Sequence, residues 1–357
     1  MEHERDDQDE DAVDQVMGRR WVRRRVVGLL AGPLAGLGLG AASTAKKKKK
    51  KVTLCLNGQT LKVPKKKRGS LQRQGATAGA CTACVASCAG KPCGADDGCG
   101  GECGCPAGQV CGAGVCQACN VVCAPGDPAA CGAALQARFD AGGAVFACPG
   151  RYVGRFTLNT DVALYGAGEG SDPATSTILD ANQTGPVFSN YQTTTVERVR
   201  FTGGKVENGS AGVLNAGTLT VRRSTVTGNV VTGYNGWGAG VRQNDATGPL
   251  TMTNCTITGN RTDNSGGGIA QSSATQPVIL TNCTISDNHA NLDGYGDGGG
   301  IYCWRGVVTI TGGSITNNRG KDGGGIAAAP QGTVTLSGVS MSGNDPTNCV
   351  GVPGCPA

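Results

Sequence analysis

Histidine is almost missing from this chain. Of two in 357 residues, only His289 lies beyond the N-terminal region. Polysaccharide lyases and hydrolases work with clustered carboxylates and a base such as Arg, Lys or His, so that chemistry would have to draw mainly on Arg and Lys. Aromatic residues make up 4%. None interleaves with the basic runs of residues 46–80, which disfavours nucleic-acid binding. From Gly209 to Asn344 no apolar stripe recurs at a 3.6-residue period, and Gly and β-branched residues dominate, which disfavours helix. The gaps between apolar runs lack two-residue hairpin signals. The repeats there, 26–31 residues long, are short for a four-stranded propeller blade. Propeller and sandwich are thereby the weaker folds.

What is present between Gly209 and Asn344 is one phrase written five times. Copies read GAGVRQNDATGPLTMTNCTITGN, GGGIAQSSATQPVILTNCTISDN, GGGIYCWRGVVTITGGSITNN and GGGIAAAPQGTVTLSGVSMSGN, with a weaker copy opening at Ala211-Gly212-Val213. Each closes on an asparagine: Asn229, Asn260, Asn288, Asn318 and Asn344. A period of this size marks a stacked repeat. Aligned copies show apolar columns: Val226, Ile257, Ile285, Ile315, Met341; Val221, Met252, Leu280, Ile310, Leu336; and Leu219, Leu250, Val278, Val308, Val334. Thr, Ser or Arg mostly fill the positions between, the alternation of half-buried strands.

No copy can bury its own apolar face, so each must sit on the last. The expected fold is all-β, a right-handed parallel β-helix solenoid with an N-terminal capping helix, preceded by a small disulfide-rich module. The asparagines are expected at a bend, bonding along the stack as a ladder. The GGGI and closing-Asn rungs resemble bacterial secreted right-handed β-helix proteins, in particular the repeats of polymorphic outer-membrane proteins and related adhesin-like sequences. That resemblance implies the fold; the scaffold hosts many activities.

The N-terminal 45 residues comprise an acidic stretch and then MGRRWVRRRVVGLLAGPLAGLGLGAASTA, which reads as a secretory signal opening at Met17. A retained membrane anchor and a twin-arginine route stay open. Residues 46–80 hold twelve basic and no acidic residues, while residues 81–357 hold fourteen basic and eighteen acidic, a net of −4. The basic segment is expected to meet an anionic surface, or to serve as a solvated spacer. Within it VTLCLNGQTLKV predicts a hairpin about Asn57-Gly58.

Residues 81–131 carry twelve cysteines and few large apolar residues. Disulfides are expected to hold this segment, although Cys81-x-x-Cys84 and Cys116-x-x-Cys119 have zinc-like spacing. Asp127-Pro128 predicts a helix start, with Cys131, Leu135 and Phe139 on one face. Residues 132–345 form the expected solenoid and 346–357 its tail. Cys349 and Cys355 are expected to close that tail, which is too short for an outer-membrane barrel. Cys255 and Cys283 occupy equivalent positions in neighbouring copies, as a disulfide or as two buried thiols.

Tyr234, Trp237, Tyr295, Tyr302 and Trp304 are the candidate ligand-binding residues, as aromatics that stack on sugar rings or dock a partner; loop packing is the alternative. Asp293, Asp297 and Asp322 precede the Gly turns as weak Ca²⁺ or sugar candidates, or as plain turn residues. No catalytic residue, metal or other cofactor is assigned. The functional expectation is an exported or cell-surface protein that adheres, without catalysis, to a glycan, envelope polymer or protein. A carbohydrate-active enzyme and a structural spacer are the competing readings.

Overall fold

The computed structural model describes residues 51–56, 59–64, 77–78, 91–95, 103–124, 126–233, 235–245, 247–290 and 296–356. The signal segment with Met17, the lysine runs apart from Lys51, Cys81-x-x-Cys84, Tyr234, Asp293 and Tyr295 lie outside the described residues. Lys51–Leu56 and Gln59–Pro64 pair antiparallel, Leu56 opposite Gln59, as the hairpin pattern requires. A short third strand, Thr77–Ala78, joins Lys51–Leu56, which the pattern did not foresee.

From Gly143 onward the chain winds into a parallel β-helix. Its strands align in an eight-stranded sheet, a four-stranded sheet and a 14-stranded sheet made of two files. The expected columns are true register neighbours. Val226, Ile257, Ile285, Ile315 and Met341 pair in sequence. So do Leu219, Leu250, Val278, Val308 and Val334, and Val221, Met252, Leu280, Ile310 and Leu336. All members of these columns are at most 4% exposed, save Leu336 and Met341 at the C-terminal end, which are half-buried. Burying each such side chain stabilises by roughly 1.5–3 kcal/mol.

The two files of the 14-stranded sheet meet at a bend in most rungs. Six residues separate Val241–Gln243 from Leu250–Thr253, and six separate Ile269–Gln271 from Val278–Thr281. In the next rung the connection is shorter, and one strand, Ile301–Thr311, runs through both files. Another corner is built from left-handed residues: Arg198, Arg223, Asn254, Asn282, Gly312 and Gly338 all have φ between 46° and 64°. Glycine and asparagine take this conformation readily, whereas arginine does so at a cost of about 1 kcal/mol.

The closing asparagines form the expected ladder. Nδ2 of Asn229, Asn260, Asn288 and Asn318 each donates to Oδ1 of the next at 3.0 Å. Each of those oxygens also accepts the previous asparagine's backbone N–H at 3.0–3.2 Å. Asn344 ends the run on Asn348 Oδ1 at 2.8 Å. A second ladder, not anticipated, runs Asn190 to Asn215 to Gln243. Gln271 and then Cys303 continue that file in register.

Helix α1, Pro128–Ala141, covers the first rung. Asp127 caps it by accepting the Ala130 N–H at 2.9 Å. Cys131, Leu135 and Phe139 are buried as expected, and Phe139 meets Phe156 and Phe188 edge-on at 5.8 and 6.3 Å. At Gly132 a Cβ would collide with the Val153 carbonyl, so only glycine lets the helix come this close.

Disulfides join Cys93–Cys111, Cys105–Cys116, Cys119–Cys148 and Cys123–Cys131. Cys116 and Cys119 therefore belong to different disulfides, which removes the metal reading of that pair. Cys148 lies in the solenoid, so the module is covalently stapled to the first rung. Arg223 adds a noncovalent link, spanning Glu197 at 3.2 Å and the Gly94 carbonyl at 3.5 Å. Cys349–Cys355 closes the tail as expected.

Asn288→Ala would leave Asn260 with two buried donors short of an acceptor. The expected cost is about 2–4 kcal/mol, whereas outward-facing Thr284→Ala should stay within about 0.5 kcal/mol. Chemical denaturation of the two variants measures the difference.

Candidate functional site

Three of the candidate aromatics come together on the outer side of the 14-stranded sheet. Trp237 sits in the turn before Val241–Gln243, its N–H bonded to the Gly209 carbonyl at 3.0 Å. Tyr302 and Trp304 lie on strand Ile301–Thr311, alternating with fully buried Ile301 and Cys303 as the sequence suggested. The Trp237 ring stands edge-on to Tyr302 at 6.0 Å and to Trp304 at 4.9 Å. Edge-to-face pairs of this kind contribute about 0.5–1.5 kcal/mol beyond area burial.

The position of Ala270 makes that contact feasible. Arg242, Ala270 and Tyr302 are successive register partners on the outer side. Trp237 and Tyr302 thus start from rungs about 9.6 Å apart, and their rings close over the methyl group between. Ala270 is 0% exposed although it points outward. Trp304 stands where the pairing slips: Cys303 faces Ala328 but Arg305 faces Gln331, so the neighbouring strand carries an extra residue. Such bulges re-aim side chains.

Two guanidinium groups complete the platform. Arg242 lies 5.7 Å from the Trp237 centroid, and Arg305 lies 4.5 Å from that of Trp304. Arg305 is held by the Ser272 carbonyl at 2.6 Å and by both Asp245 carboxylate oxygens at 3.0 and 2.9 Å. Arg242 donates weakly to Ser272 Oγ at 3.5 Å. Burial lowers the Arg242 pKa, and the nearby Asp245 carboxylate opposes that. Burial also raises the Tyr302 hydroxyl, with Asp297 and then Cys303 adding to it.

Asp297 and Asp322 stack on neighbouring rungs. The Gly298 N–H donates to the Asp322 carbonyl and the Gly266 N–H to the Asp297 carbonyl, both at 3.0 Å. Burial, then the Asp322 charge, raises the Asp297 pKa, while Lys321 works against it. Among the described residues these acids meet no third metal-ligating side chain, and their bonds suit turn residues. One three-ligand group occurs among the described residues, Cys93, Cys105 and Cys116, and all three sulfurs are in disulfides.

Cys255 and Cys283 are free thiols rather than a disulfide. In parallel register their side chains run alongside each other about 4.8 Å apart, whereas a disulfide draws Cβ atoms to about 3.8 Å. Each thiol instead donates to buried carbonyls: Cys255 to Thr253 at 3.4 Å, Cys283 to Met252 at 3.5 Å. A thiol–thiol hydrogen bond with Cys283, then burial, pushes the Cys255 thiol up. Cys303, beneath the aromatic platform, is pushed up by burial to about 11.

Sequence reasoning missed Arg242, Asp245 and Arg305. A usable signal was the second residue after each Gly turn: Arg242, Ala270, Tyr302 and Ala327 form one outward column, in which the alanine between Arg242 and Tyr302 marks a gap to be filled. A separate depression of about 490 Å³, lined by Cys123, Pro128, Pro149, Arg151 and Pro173 among others, lies at the helix-capped end and brings no aromatic residue.

The fold is a right-handed parallel β-helix, with an aromatic platform on one outer face. Residues 162–307 match the family model described as the right handed beta helix region. No curated protein and no solved structure matches the chain.

Thiol accessibility tests this packing. Cys255, Cys283 and Cys303 are expected to resist alkylation at pH 8 in the native protein and to react fully in denaturant, read by peptide mass spectrometry. Native-state labelling of Cys303 would show that the rung beneath Trp304 opens.

Proposed function

We propose that this is an exported bacterial protein of the cell surface or extracellular space that binds a glycan or envelope polymer without cleaving it. The observation that carries the reading is the contact of Trp237, Tyr302 and Trp304 over Ala270. Amphipathic rings of this kind offer apolar faces for sugar rings, and the adjoining guanidinium groups offer donors for hydroxyl oxygens. The acids close to the platform are engaged elsewhere: Asp245 holds Arg305, and Asp297 and Asp322 lie along the Gly turns. That arrangement supports binding over acid–base cleavage. Disulfides in the N-terminal module suit an oxidising compartment outside the cytosol, in line with the signal-like segment that opens at Met17.

A glycan array followed by titration of the strongest neutral ligand tests the proposal. Trp237→Ala is expected to weaken binding at least about tenfold, the worth of one aromatic stacking contact, with the melting transition retained. Release of unsaturated or reducing ends from any polysaccharide would identify an enzyme instead. Binding that is absent across the array would favour a spacer.

A further inference from the structure

A second surface, on the four-stranded sheet, has a different chemistry. Its outward positions are Lys205, Val230, Arg261 and His289, one per rung and in register. Bridges extend the file through Arg319 to Asp345. The residues next to them on the inner side, Val231, Thr262 and Ala290, are at most 1% exposed. Lys205, Arg261 and Arg319 are exposed, while Val230 and His289 are half-buried.

Cations therefore occupy alternate rungs. Two rungs are about 9.6 Å, close to the Debye length at physiological salt, so neighbours on the file repel little. Among the described residues neither Lys205 nor Arg261 has an ion-pair partner. Arg319 pairs with Asp345 at 3.1 Å, and both side chains are more than half exposed, a type of pair that contributes little. His289 Nε2 is buried and makes no hydrogen bond among the described residues. Burial, then the charges of Arg261 and Arg319, holds its pKa below the usual histidine range, so the imidazole is neutral at neutral pH and leaves the two-rung alternation intact.

We propose that Lys205, Arg261 and Arg319 form a docking line for an extended acidic polysaccharide that carries one carboxylate or sulfate group per disaccharide and lies along the solenoid axis. The saccharide character of the ligand rests on the function proposed above; the charge line stands on its own residues. In such a chain the anionic group recurs every two sugars, a step comparable to two rungs. Nucleic acid fits poorly, because one strand presents a phosphate about every 3.4 Å. A lipid surface is better met by a compact cluster of basic residues than by three spread over five rungs. Asp263, just after strand Arg261–Thr262, accepts the Gly233 N–H at 3.4 Å.

The test uses the full protein with three probes: hyaluronan, with one carboxylate per disaccharide; chondroitin sulfate, which adds a sulfate; and a neutral glycan found on the array. The double variant K205Q/R261Q changes two exposed side chains and keeps part of each aliphatic stem, so folding should be unaffected. It is expected to lose at least about tenfold in affinity for an acidic chain, since a hydrogen bond to a charged group is worth about that factor, and to lose most of its salt dependence. R261K should restore much of the binding. Neutral-glycan binding should be unchanged by the double variant but weakened by Trp237→Ala. Preference for hyaluronan or for chondroitin sulfate identifies the anionic group. Unchanged affinity of the double variant for both acidic chains overturns the docking line and leaves the aromatic reading standing. Equal binding of short inorganic polyphosphate would overturn the saccharide assignment.

Discussion

Everything in the molecule depends on one constraint: in a parallel stack, every inward residue has its counterpart directly above and below. The Asn229-to-Asn344 ladder is the sharpest expression of it. Each amide gives one proton to the next amide and another to a backbone carbonyl of the rung before, so its donors are spent with no water needed. A slip of one residue would turn every such amide outward and bring in its chain neighbour, such as Arg261, His289 or Arg319. Register is therefore enforced at a corner, where strands alone hold it least firmly, and the apolar columns fall into line behind it.

That constraint explains why so much of the architecture was legible. Alternation within a copy and repetition between copies are both linear patterns, and the three apolar columns could be written down from them residue by residue. The capping helix was legible for a similar reason, since Asp127, Pro128, Leu135 and Phe139 signal it locally. Cys349 and Cys355 are close enough in the chain for their pairing to be read from spacing.

What stayed hidden depends on comparisons the linear pattern does not contain. The Asn190–Asn215–Gln243 ladder changes residue type as it rises, and the connections beside it differ in length, so no column of identical letters announces it. Cys148 is one cysteine inside a rung, and nothing nearby says that its partner is Cys119. Arg242 and Arg305 look like ordinary polar positions until the trio of rings is seen to close over Ala270. The bend that separates two files in most rungs disappears at Ile301–Thr311 because the connection there is shorter, and that loss is what sets Trp304 on a continuous strand beside Trp237. The aromatic platform is built from these departures from the repeat rather than from the repeat itself.

The Cys119–Cys148 bond has a mechanical consequence. Parallel rungs can peel apart one at a time, since each is joined to the next mainly by hydrogen bonds. A pull arriving from the N-terminal module bypasses that weakness, because the bond carries the load straight into the opening turn and past the helix that covers it. Tension along this path meets sulfur before it meets any β-ladder of the solenoid, so the junction of module and solenoid would be the last place to yield.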